Sequence, residues 1–286
     1  MIASEIYRAV QNYTELTFRL SDNDLDREWS WNDYDEGVRF SFFRVYEELC
    51  QLAARMGNAR SKTNQPLTTA QLTLAQYHAA YRDLQAVLIG VSDEDGAHPP
   101  AEGEWPAREA LAHMIAAERT FFAINLDALQ RVRSGDSGPL EMNDEAWETF
   151  WEGDNFDEIK EEALTSKMLS YHDNLHWRIM TELVDISEKE LHTPVVFWES
   201  TPMPLEFRLH RFDAHLRQHT IQIEKTLKAI GLPFTEAKRL LRLIYAALAD
   251  VENQAIGLED FGGLEQAKVV TLINDYFNEV NEILSV

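Results

Sequence analysis

The chain reads as an all-α protein. Apolar residues recur at spacings of three and four through nearly every long segment, the period of a helix that buries one stripe. Strand-like alternation is nearly absent. The periodic segments are separated by polar loops carrying Gly and Pro, which suits antiparallel helical bundles.

The elements follow in order. Residues 4–20 and 37–57 are expected as helices, the second carrying Val38, Phe40, Phe43, Val45, Leu49, Leu52 and Met56. The loop between them, Ser21 to Trp31, is polar with two tryptophans, and Gly57 to Pro66 is polar and breaker-rich enough to be a linker. Thr68 and Gln71 have the spacing of a capping box that opens a helix to about Gly90. Ser92 to Glu104 is an acidic loop. Trp105-Pro106 begins a helix reaching about Val132. Ser134 to Asp154 is long for a bundle connection and is expected to cross the bundle. A helix from about Phe156 to Ile186 and a loop from Leu191 to Pro204 come next. A long helix then runs from Leu205 to Ile230, closed by Gly231 and Pro233. Two more helices, about 235–253 and 264–284, are separated by Gly257, Gly262 and Gly263.

Composition bounds the function. The 286 residues are 45% hydrophobic, and 49 acidic against 26 basic residues give a formal charge of -23. That balance repels phosphate backbones and anionic lipid, so neither nucleic acid nor a membrane surface is an expected partner. No apolar run approaches a membrane span, and the first residues lack a signal-peptide core. Cys50 is the single cysteine, which excludes disulfides within the chain and disfavours thiolate metal clusters. A cytoplasmic location is the expectation.

All nine histidines lie between His78 and His219. In the helix from Leu205, the positions Leu205, Leu209, Phe212, Leu216, His219, Ile223, Leu227 and Ile230 form one stripe. His215 stands a turn before His219. Imidazoles four apart on a helix can turn toward one ion, although an HxxxH pair alone is more often two hydrogen-bonded core residues. His113 lies in an apolar run beside the small residues Ala110, Ala112, Ala116 and Ala117. With His215 and His219 it completes three nitrogens on two helices, the ligand count of an open catalytic site. A rival pair, His172 and His176, shares the stripe Leu169, His172, His176, Ile179, Leu183. These two are alternative ligands, second-layer groups or substrate contacts. His78 is expected at the surface, with a place at the pocket as the alternative, His98 and His192 in loops, and His210 off the stripe. Glu118 and Asp213 are candidate bases near the histidines, with ordinary hydrogen-bonding or surface roles the simpler reading.

Trp105-Pro-Ala-Arg-Glu-Ala-Leu-Ala-His113, the long crossover, and His215-Leu-Arg-Gln-His219 together resemble the DinB/YfiT-like family of metal-binding four-helix bundles, over roughly residues 67–232. The resemblance implies an up-down bundle with a long crossover and one divalent ion on His113, His215 and His219. Zinc is the first expectation, with nickel, iron, copper or manganese as alternatives. It also implies a small-molecule substrate and a homodimer. Several family members are thiol-dependent transferases using low-molecular-weight thiols, and others are isomerases or hydrolases. The expected function is therefore metal-dependent S-transfer or hydrolysis on small electrophiles, with a thiol co-substrate. A non-catalytic metal-binding or interaction bundle is the alternative.

The ends of the chain echo the middle. Ser21-Asp-Asn-Asp24 and Trp31-x7-Arg39 parallel Ser92-Asp-Glu-Asp95 and Trp105-x7-His113, and Asn274 and Asn278 fall where the histidine pair would be. The expected domains are thus residues 1–66, a helical pair; 67–232, the metal-binding bundle; and 233–286, a second pair that packs with the first as a degenerate bundle or, alternatively, adds helices to the single bundle.

Overall fold

The computed structural model describes residues 5–162, 165–199, 201–232, 234–258 and 263–285. It is helical as the periodicity requires. The helices are α1 (Glu5–Arg19), α2 (Val38–Lys62), α3 (Thr69–Leu88), α4 (Asp93–Ala97), α5 (Ala107–Arg133), α6 (Asp144–Phe150), α7 (Phe156–Glu162), α8 (Thr165–Glu182), α9 (Glu188–Leu191), α10 (Leu205–Ala229), α11 (Glu236–Asn253) and α12 (Gly263–Ser285). None of the described helices is long and apolar enough to cross a membrane.

The chain divides into two compact units. One gathers Met1–Pro66, Arg82–Gly90 and Pro233–Val286; the other gathers Leu67–Tyr81 and Val91–Leu232. In the first, α1 and α2 pack against α11 and α12. Their apolar faces meet in one core that includes Tyr13, Phe42, Leu49, Leu248 and Ile273. Arg60, almost fully buried, donates to the carbonyls of Gln65, Gln254 and Ile256 at 2.7, 2.8 and 2.8 Å. Arg82 grips Glu252 through two bonds of 2.8 and 2.6 Å.

In the second unit α5 packs along α10 and also meets α8. Thr68 and Gln71 close the capping box at the start of α3, each accepting from the other's backbone N–H at 3.2 Å. The connections predicted as loops carry structure of their own. After the hairpin of β1 (Ser30–Trp31) and β2 (Tyr34–Asp35) in the first unit, the second unit has β3 (Leu140–Glu141), β4 (Pro194–Val196) and β5 (Met203–Pro204). β4 lies between the others, parallel to β3 with Leu140 opposite Val195, and antiparallel to β5 with Val195 opposite Met203. The crossover also holds α6, and the acidic loop after Gly90 holds α4, opened by a Ser92–Asp95 capping box.

Several boundaries differ from expectation. Gly57 sits inside α2 instead of ending it. A Cβ there would come within 3.1 Å of Gln254 Oε1, so the glycine admits a close neighbour while the helix continues. The segment predicted as one helix over 156–186 contains α7 and α8, and residues 163–164 between them lie outside the described residues, as do Pro233 and Gly262.

The paired motifs at Ser21 and Ser92 have the same local geometry. Ser21 N–H and Oγ donate to Asp24 Oδ2 at 2.9 and 2.6 Å, and Ser92 N–H and Oγ donate to Asp95 Oδ2 at 3.1 and 2.6 Å. The positions aligned with the histidines have other partners. Arg39 bonds to Asp26 at 2.6 Å and Glu236 at 2.7 Å, Asn274 accepts from Asn12 at 3.0 Å, and Asn278 is exposed.

Candidate metal centre

α5 and α10 bring three histidines together. His215 and His219 are one turn apart on the buried stripe of α10, with ring centroids 4.4 Å from each other. His113, on α5, is 5.1 Å from His215 and 4.8 Å from His219 by the same measure. One ring nitrogen of each can be chosen so that all three lie within 4.8 Å of one another, and no other such group of three histidine, cysteine or acidic side chains occurs among the described residues. His215 and His219 are buried whereas His113 is exposed, so the cluster opens toward solvent on the α5 side.

Local chemistry favours nitrogen donors. Burial, then the neighbouring His219 and His113, pull the His215 imidazolium down to about 4. Burial, then His219, lower His113 as well. Both rings are therefore neutral at pH 7, the form that can donate a lone pair. Nδ1 of His215 is buried and finds no hydrogen-bond partner among the described residues. Nδ1 of His219 lies 2.7 Å from Gln222 Oε1. An N–H there leaves Nε2 with its lone pair free, the second-layer arrangement that orients a ligating histidine. The Trp105 ring stands 5.3 Å from His113, and Phe121 meets His215 edge-on at 5.7 Å.

The rival histidines take part in a different structure. His172 Nε2 lies 2.7 Å from Glu118 Oε2, and Tyr77 donates its hydroxyl to the same oxygen at 3.1 Å. His176 Nε2 is 2.9 Å from His78 Nδ1, and the Tyr81 ring stacks on His176 at 3.7 Å with an angle of 7°. Tyr81 in turn donates to Asp173 at 2.6 Å. Glu118, His172, His176 and His78 are all essentially without solvent exposure. The surface position expected for His78 is thus wrong: it lies beside Tyr77 on the inner face of α3, where His176 is its partner. Glu118 is likewise no surface acid. Asp213 is paired with Arg217 at 2.6 Å on the outside of α10. His98 and His192 cap the short helices α4 and α9, and His210 is exposed.

Sequence reasoning missed Gln222 and Tyr77. Gln222 stands three residues past His219, a spacing that shares a helix face, so the signal was present. Tyr77 carries no local cue, because its partner Glu118 comes from another helix.

No curated protein and no solved structure matches the chain. The sequence profile of the DinB superfamily matches residues 76–223, which span more than half of the chain and include all three clustered histidines. The chain belongs to the DinB superfamily.

Proposed function

We propose that His113, His215 and His219 hold one divalent metal ion, and that the protein is a metal-dependent enzyme of the S-transferase or hydrolase type acting on small electrophiles. The observation that carries this reading is the convergence of three ring nitrogens from two helices, one of them facing solvent. Three protein ligands leave a coordination position for a reactant. A divalent ion bound there would lower the pKa of a thiol or water so that it reacts as the anion at neutral pH.

The chain's own residues prepare the site. Burial keeps His215 neutral, and Gln222 Oε1 holds the proton of His219 on Nδ1. Trp105 packs on the His113 ring, with centroids 5.3 Å apart. The nucleophile comes from a co-substrate, because Cys50 belongs to the other unit and burial pushes its thiol up, away from the reactive thiolate.

The test is a screen of low-molecular-weight thiols against small electrophiles with zinc-, nickel- and manganese-loaded protein. Thiol consumption that requires the metal and is lost in His219→Ala is expected. Turnover that persists unchanged in His219→Ala would place the chemistry elsewhere.

A further inference from the structure

A groove of about 680 Å³ borders the histidine cluster, with Glu104, Trp105, Gln222, Lys225 and Thr226 among its lining residues. Its volume falls in the range of small-molecule sites. Two lining residues touch the cluster, since Trp105 packs on His113 and Gln222 bonds to His219. The groove therefore adjoins the histidine cluster through Trp105 and Gln222.

The lining specifies a chemistry. Gln222 and Lys225 are three apart on α10 and share a face. Gln222 uses its Oε1 on His219, which directs its amide Nε2 to other acceptors. Lys225 makes no ion pair with a described residue, in a chain whose formal charge is -23. Trp105 is 44% exposed and offers a flat apolar wall. Glu104 lines the same groove, and its carboxylate would repel a second negative charge on a ligand.

We infer that the groove binds a small monocarboxylate with an aromatic or apolar body. The carboxylate is held by Lys225 Nζ and Gln222 Nε2, the body lies against Trp105, and the other end reaches the histidines. As an assignment of substrate class it rests on the metal-site reading above. As a binding site it stands on the groove itself.

The experiment is calorimetric titration of the full chain with phenylacetate and with its neutral isostere phenylacetamide, on chelator-treated and on zinc-loaded protein. Phenylacetate is expected to bind at least about tenfold tighter than the amide, about 1.4 kcal/mol. Lys225→Gln should abolish that preference, Lys225→Arg should keep it, and Trp105→Ala should weaken both ligands. Lys225 and Trp105 are exposed, so these variants are expected to fold. Equal binding of the two ligands, an unchanged preference in Lys225→Gln, or no phenylacetate binding at millimolar concentration would each overturn the inference. So would binding that needs zinc and ignores Lys225, because the carboxylate would then sit on the ion. Lys225-dependent binding in protein that takes up no zinc would support the groove and refute the metal reading. Zinc uptake without Lys225-dependent binding would do the reverse.

Discussion

His219 Nδ1 lies 2.7 Å from Oε1 of Gln222, one turn further along α10. The contact selects which nitrogen of His219 faces the cluster. Gln222→Ala is expected to weaken zinc binding by about 10–100-fold, the usual cost of losing such an outer partner. Gln222→Glu, which keeps an acceptor, is expected to retain affinity. Competition against a chromophoric chelator measures both, and unchanged affinity in Gln222→Ala would remove the orienting role.

Glu118 and His172 form a pair with no access to water. Removing Glu118 strands the buried His172 Nε2 and Tyr77 hydroxyl, so Glu118→Leu is expected to destabilise the fold by about 1–3 kcal/mol. Adding His172→Leu should recover part of that loss, because the two side chains act on each other. Denaturant unfolding of the two single variants and the double variant reads the coupling, and strictly additive losses would contradict it. His172→Ala is also expected to keep its metal, since its Nε2 serves Glu118.

The depressed His215 gives a pH signature in the metal-free protein. In the unfolded chain this ring takes a proton near its ordinary 6.5, but in the fold only near about 4. Between these values the unfolded state binds the extra proton, so stability falls as the pH drops from about 6.5 toward about 4. His113 acts in the same direction. His215→Leu should therefore flatten the Tm-against-pH profile across that window. A profile identical to the parent protein would show that His215 is not held neutral.

Arg60 donates to three carbonyls, one of them two residues beyond the C-cap of α11. Arg60→Met keeps the bulk but leaves those acceptors unpaired. A loss of about 2–4 kcal/mol is expected, and a change below about 0.5 kcal/mol would mean that water replaces the guanidinium.

Much of the site was legible because helical spacing converts sequence distance into a shared face. His219 on the buried stripe, with His215 one turn before and beside it, put the pair on one side of the helix. The W-x7-H motif then put His113 on a second helix with its neighbouring tryptophan. The buried network was not legible, because Tyr77, Glu118 and His172 come from three helices and only packing unites them. The same limit explains His78, whose partner His176 lies on another helix, and the close approach of Gln254 to Gly57 from a distant part of the chain. The short strands β3, β4 and β5 are too brief for an alternation signal, and their pairing joins the crossover to the segment before α10.

If His113, His215 and His219 hold one ion, metal uptake depends on each of them. The direct measurement is metal content per chain in protein purified without a His-tag and then offered zinc or nickel, for the parent, His113→Ala and His219→Ala. One divalent ion per chain, lost in both variants and retained in His172→Ala, is the predicted result. No uptake by the parent, or full uptake by His219→Ala, would contradict it.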